Sequence, residues 1–421
     1  MKYRELLELY KKKELGEEQR EMVEQDIERH EAISEYLFEM EEADILQDPA
    51  EMPEGSEIKV KTAGKERDTA DDFTKRVNRA IRRAFLKMGA AVCAVTLVVV
   101  LLILFVLPNI VSNFYYDPGR IVSENNYGGT TNQMSLDLAV YTELALPGTY
   151  RDNVQVEDRG YGNYNITIYQ SVSRSGEFHH VAGRIEKNNL RLYDINLFNI
   201  SSGNSFGWFQ MNMDRKDTLT EQVEKGVGSF AYTPESKEQS AKYLEELDDN
   251  KLYLAYVTLD KILSYDDFIR FTEKYSEQMS DIWCVPRTVV DSHMPVGRPA
   301  NLGFYIQLEQ SSMREWDREK YPDLILWAFD DMSDWDEAEE KIKDEAYAAE
   351  HFAVMLDYMS EQDEFLGMMG EQTGETYAEA ADYIRENGLQ IYGFACVADK
   401  ETLLELNAED AVFGIRAEEV G

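Results

Sequence analysis

Cysteine is scarce in this 421-residue chain: there are three, at positions 93, 284 and 396, too few for a disulfide scaffold. Cys93 falls inside an apolar run, which leaves Cys284 and Cys396 either as a pair or as two isolated buried thiols. Basic residues are also in short supply. Lys and Arg number 43 against 81 Asp and Glu, a formal net charge of −38. A surface this negative repels phosphate and excludes nucleic acid as a partner. No glycine-rich loop with an accompanying lysine offers to cradle a nucleotide phosphate. Internal repeats and low-complexity segments are absent too.

What the chain does have is an uncharged run of twenty residues, Met88–Leu107, MGAAVCAVTLVVVLLILFVL. At about 1.5 Å per residue it covers about 30 Å, the thickness of a bilayer's hydrocarbon core. Thirteen of its residues are Val, Leu, Ile or Phe, which favour insertion by about 4–8 kcal/mol in total. Gly89, Cys93 and Thr96 are too mildly polar to cancel that gain. The run is expected to be a membrane-spanning helix. It lies too far along the chain, and is too long, for a cleavable signal peptide.

Orientation is expected from the flanks. Lys75, Arg76, Arg79, Arg82, Arg83 and Lys87 precede the run, whereas PNIVSNFYYDPGR follows it. Phe114, Tyr115 and Tyr116 fall at headgroup depth. By the positive-inside rule the N-terminus is cytoplasmic and the remainder external. The first 87 residues carry a net charge of −6, which leaves −32 for the external part.

Before the run the chain reads as amphipathic helices. Tyr3, Leu6, Leu7 and Tyr10 line one face, Met22, Val23 and Ile27 another, and Ile33, Tyr36, Leu37 and Met40 a third. Gly16 separates the first helix from the second. Helices this short bury little core by themselves, so their apolar faces are expected to close on a partner. Residues 47–72 are rich in charge, Pro and Gly and read as a tether. Phe73, Val77, Ile81 and Phe85 then step by four, so a helix is expected from about Asp71 into the membrane.

Beyond the run, Gln133 to about Tyr232 reads as strand-rich. Tyr164, Ile166 and Ile168 alternate with polar residues, as do Leu190 and Leu192, with a strand expected over Leu190–Leu197. From Lys237 helix and strand alternate. A buried strand is expected at Leu252–Leu259, then a helix capped by Ser264 with Asp267, and one long helix from Trp335 to about Tyr358. A helix at Tyr377–Asn387 closed by Gly388, strand Leu389–Ala398, helix Lys400–Leu406 and strand Val412–Arg416 complete the expectation. The fold class is α+β.

Several patterns invite a chemical reading. Gly203–Gly207, GNSFG, matches the nucleophile elbow of hydrolases, with His293 or His351 as possible base. That elbow needs a helix after Ser205, whereas FGWFQMNM reads as strand, so a glycine-rich turn is the simpler reading. His179 and His180 are adjacent and on a strand point to opposite faces, a poor chelate. Asp330, Asp331, Asp334 and Asp336 lack the calcium-loop spacing and its central glycine. The tryptophans and tyrosines read mainly as sheet packing, with a cell-wall glycan groove as the alternative. No residue is assigned as catalytic, metal-ligating or cofactor-binding, and no cofactor is called for.

His30–Met40, HEAISEYLFEM, resembles the His-x3-Cys-x2-Cys segment of zinc-type anti-sigma domains. Ser34 and Leu37 stand at the cysteine positions, so a tetrahedral zinc site is not available. FTKRVNRAIRRAFLK at Phe73–Lys87, the apolar run, FYYDP, ELALPGTY at Glu143–Tyr150 and GYGNYNITIY at Gly160–Tyr169 together resemble the N-terminal module of the sigma factor regulator family. LAYVTLDKILSYDDFIRF at Leu254–Phe271, IWCVPRT at Ile282–Thr288 and ENGLQIYGFACVADKETLLEL at Glu386–Leu406 resemble that family's C-terminal module. The resemblance implies a non-enzymatic, bacterial, single-pass membrane protein of the cell envelope. Its implied function is that of an anti-sigma factor, holding an extracytoplasmic-function sigma factor at the membrane until an unknown envelope ligand or protein signals release.

The order expected is therefore a sigma-binding helical region at 1–46, a tether at 47–72, a basic juxtamembrane helix at 73–87 and a transmembrane helix at 88–111. A β-rich external region at 120–236 and an α+β domain at 237–421 follow. Leu6, Leu7, Tyr10, Ile27, Ile33, Tyr36 and Leu37 are the candidate sigma contacts. A membrane-anchored extracellular hydrolase and a ligand-binding envelope scaffold are the alternatives.

Overall fold

The computed structural model describes residues 68–124, 129–172, 178–198, 209, 216–225, 237–289, 299, 301–307, 316–326, 335–371 and 374–420. The candidate sigma contacts, residues 47–67 of the expected tether, His30, Ser205, His293, Asp330, Asp331 and Asp334 lie outside them, and residues 68–72 of that tether are helical.

Helix α1 runs Asp68–Leu101, beginning close to the expected Asp71. A π-turn at Leu102–Val106 follows, then α2 at Leu107–Ser112, with Pro108 in its first turn. The stretch Asn78–Ser112 is long and apolar enough to cross a membrane, and none of it is buried. Arg79, Arg82, Arg83 and Lys87 are exposed on α1, and Lys75 and Arg76 lie on the same helix.

Among its described residues the unit Gly89–Gly421 contains three antiparallel sheets. β1 (Ile121–Glu124) pairs with β2 (Thr130–Asn132). Helix α3, Gln133–Ala145, comes next, where strand was expected. Asn132 caps it by accepting from the Ser135 amide. A meander follows, β3 (Thr149–Gly160), β4 (Asn163–Val172), β5 (Phe178–Glu186) and β6 (Asn189–Leu192), in that spatial order. Along β5, Val181, Gly183 and Ile185 are buried while their neighbours face solvent or lie at its edge, as a sheet with one wet face requires. His179 and His180 sit at its outer end, with His180 against the Tyr169 ring. The strand expected to reach Leu197 stops at Leu192, and a short helix, α4, occupies Ile195–Phe198.

Two short helices, α5 (Leu219–Glu224) and α6 (Lys237–Glu245), lead to the second sheet. Its order is β11-β7-β10-β8-β9, with β7 at Leu252–Ser264, β8 at Ser280–Pro286, β9 at Phe304–Tyr305, β10 at Gln390–Asp399 and β11 at Val412–Glu419. Both faces are buried: Ala255, Val257, Leu259, Cys284 and Phe394 join the main core, while Leu254, Tyr256, Trp283, Val285 and Ala395 form a second cluster opposite. Helices α7 (Tyr265–Glu273), α9 (Glu345–Ser360), α11 (Glu375–Asn387) and α12 (Lys400–Ala408) contribute to the main core.

Ser264 caps α7 by accepting from the Asp267 amide at 3.2 Å, as the spacing predicts. The long helix expected over Trp335–Tyr358 is two helices, α8 (Trp335–Ile342) and α9. Asp344 interrupts it by accepting from the Tyr347 amide and starting α9 afresh. Helix α10, Asp363–Met369, follows. Gly388 ends α11 at φ +69°, a conformation that favours glycine. Cys284 and Cys396 are buried, free thiols, and burial raises both well above the ordinary thiol range.

Candidate functional site

The richest polar constellation among the described residues lies where the chain leaves the apolar helix and meets α3 and α9. After Ser112 the chain makes a turn and reaches Tyr116, whose amide donates to Asn188 Oδ1 at 2.7 Å in the β5–β6 turn. Asp117 then folds Asp117–Arg120 into a tight turn by accepting from the Gly119 amide at 3.0 Å. This returns the chain to α3, with the Gln133 amide donating to the Arg120 carbonyl at 2.8 Å.

At the centre is Asp137 of α3, fully buried. Tyr116 donates to its Oδ2 at 2.6 Å and Tyr358 of α9 to its Oδ1 at 2.5 Å. The Gln133 side chain, one helical turn earlier, donates through Nε2 to the same Oδ1 at 2.7 Å, and Arg120 donates to Gln133 Oε1 at 2.6 Å. Gln133 Nε2 also lies 3.4 Å from Oε1 of Gln362, just past α9. Burial pushes the Asp137 carboxyl up to about 6, against the lowering pull of its three donors. Burial together with this carboxylate raises both tyrosines above the ordinary phenol range.

One carboxylate thus joins three separate pieces: the turn leaving the apolar helix, α3 and α9. A buried charge with its lone pairs met by donors fixes geometry more than it adds stability. Apolar contacts surround it. The Tyr116 and Tyr141 rings meet Phe365 of α10 at 6.3 and 5.8 Å between centroids, and Tyr321 meets Tyr358 edge-on at 5.0 Å. Beside the hub opens a cleft of about 470 Å³ lined by residues 112–117, Arg120, Gln133 and residues 361–365.

A second clasp joins α3 to the five-stranded sheet. Trp283 Nε1 donates to the Glu143 carbonyl at 2.6 Å and the Gly303 amide to the Leu144 carbonyl at 2.9 Å. Tyr150 of β3 donates to Asp281 at 3.0 Å and stacks on Tyr305.

The arrangement is built to hold positions and a proton. His351, one candidate base, is buried in α9 with Nδ1 donating to the Asp323 carbonyl at 2.7 Å and its ring edge-on to Phe304. Burial lowers it to about 4, which keeps it neutral, as a core histidine. The sequence reading missed the Asp137 hub. The signal available was an acid amid apolar residues at i+4 from Gln133, behind an Asn132 cap.

Residues 244–421 match the family model described as sigma factor regulator C-terminal. The span runs from the end of α6 through β11 and includes the three C-terminal segments singled out in the sequence. No curated protein and no solved structure matches the chain. The match supports the sigma factor regulator resemblance, a family that is regulatory, and it points to a sigma factor as partner.

Proposed function

We propose, from the premise that residues 244–421 are a sigma factor regulator C-terminal domain, that the chain is a membrane-anchored anti-sigma factor. In this reading residues 1–46 clamp an extracytoplasmic-function sigma factor through Leu6, Leu7, Tyr10, Ile27, Ile33, Tyr36 and Leu37. The tether at 47–72 lets the captured sigma factor move beneath the bilayer. Exposed Arg79, Arg82, Arg83 and Lys87 rest on anionic lipid, each worth about 1 kcal/mol, and keep the N-terminus cytoplasmic. The external regions, 120–236 and 237–421, sense an envelope ligand or protein. The Asp137 hub ties them to the end of the transmembrane segment, 88–111, so that a change outside alters how the helix is held.

The observation that carries the reading is one chain with both a sigma-regulator domain and a helix, Asn78–Ser112, fit to cross a membrane. The test is capture. Full-length protein extracted from membranes should bring a sigma factor with it, and Leu7→Ala with Leu37→Ala should release that sigma factor without lowering the amount of anchored protein. Extraction without any sigma factor, together with unchanged sigma-dependent transcription on deletion, would overturn the proposal.

A further inference from the structure

The tip of the β3–β4 hairpin is Gly160-Tyr161-Gly162, and all three residues have positive φ, +78°, +59° and +73°. Glycine adopts this conformation freely. Tyrosine does so only under strain, and such strain points to a side chain held for a purpose. The Tyr161 hydroxyl donates to the carbonyl of Ile103 at 2.6 Å, and Ile103 lies within the apolar run.

The backbone explains why that carbonyl needs a donor. In the π-turn the Leu107 amide bonds to the Leu102 carbonyl, five residues back. The next amide in that series would serve Ile103, but residue 108 is proline and has no N–H. In water a solvent molecule would take its place. In a bilayer no solvent takes that place, and an unmet carbonyl is costly. Ile103 sits four residues before the end of the uncharged run, about 6 Å inside it.

The flanking residues fit the tip to the helix. A Cβ on Gly162 would meet the Tyr115 ring at 2.5 Å, and one on Gly160 would meet Pro108 at 3.3 Å. The Gly162 amide donates to Ser112 Oγ at 2.9 Å. Exposed Phe114 and Ile110 continue the apolar surface beside it. Two residues behind the tip, Asp158 is exposed and accepts from the Gly160 amide at 2.7 Å, a charge that limits immersion to the tip itself.

We propose that the hairpin tip, through half-buried Tyr161, is a lipid-contacting wedge, with Gly162 buried against the helix behind it. It enters the headgroup layer alongside the helix and supplies through Tyr161 the donor that Pro108 removes, so that the β3–β6 sheet rides on the membrane surface. The partner is the bilayer, and the inference rests on the reading that 88–111 spans it. Aromatic side chains with one polar end favour this depth.

The test places single reporter tryptophans in the full-length chain, reconstituted in phosphatidylcholine nanodiscs, and reads emission against the unsubstituted protein. Tyr161→Trp keeps an N–H donor at the tip, Val98→Trp reports the middle of the run, and Tyr193→Trp reports an exposed residue following β6. Lipids brominated high on the acyl chain should quench residue 161 and shift its emission to the blue, while residue 193 keeps its intensity. Quenching at 98 without quenching at 161 overturns the wedge and leaves the spanning helix standing. Quenching at neither position overturns both. Tyr161→Phe removes the donor alone, and it should speed amide exchange in the turn after the π-segment, at Asn109 to Ser112. Exchange unchanged from the unsubstituted chain counts against the hydrogen bond's role in holding that turn.

Discussion

The two larger sheets bury their side chains in different ways. In β5 of the meander only alternate residues face the core, whereas β7 of the five-stranded sheet is buried without interruption from Tyr253 to Leu259. The first has a wet face and tolerates change there. The second is packed on both sides, so each strand residue has neighbours to lose. The difference shows where stability resides and where a surface is left for contact.

The largest effect expected from breaking this contrast is at Trp283, fully buried in β8 with its indole bound to α3. Trp283→Ala should destabilise the chain by about 3–5 kcal/mol, read as a lowered urea midpoint by circular dichroism of the solubilised protein. A loss below 1 kcal/mol would mean that the two-sided burial contributes little.

Next is the hub between the sheets. Asp137 binds its proton more tightly folded than unfolded, since burial raises it to about 6 from a reference of 3.8. Its contribution to stability is complete below the unfolded value and disappears as pH rises through 6, a change of about 3 kcal/mol. Subtracting the pH–stability curve of Asp137→Asn isolates this from the many surface acids, and the difference should fall from pH 4 to 7. A flat difference would rule out a desolvated carboxylate at the hub.

Smaller again, Ser264→Ala removes the α7 cap and should cost about 1 kcal/mol, visible as a shift in thermal midpoint. Smallest is Phe178→Ser on the wet end of β5, where the side chain is 76% exposed. Thermal unfolding should move by less than about 0.5 kcal/mol. A larger loss there would show the meander's outer face to be covered.

Much of this was readable in the residues. The apolar run, the buried strand from Leu252, the Ser264 cap and the Gly388 stop each depend on local chemistry and lie where expected. Helix α3 was hidden because eleven of its thirteen residues are buried, which erases the polar face that reveals helical periodicity. Leu136, Leu138 and Val140 then mimic a strand's alternation. The break at Asp344 shows a cap overriding a continuous helical pattern. The hub was beyond sequence reasoning, since Tyr358 lies 221 residues from Asp137 and only tertiary packing brings them together.

Three residues, Asn113 to Tyr115, separate the last turn of the apolar rod from Tyr116, which is pinned at both its amide and its hydroxyl. Such a joint has no swivel. Torque applied to the folded head has no slack in which to dissipate, so it must either turn the rod or tear Tyr116 from its socket.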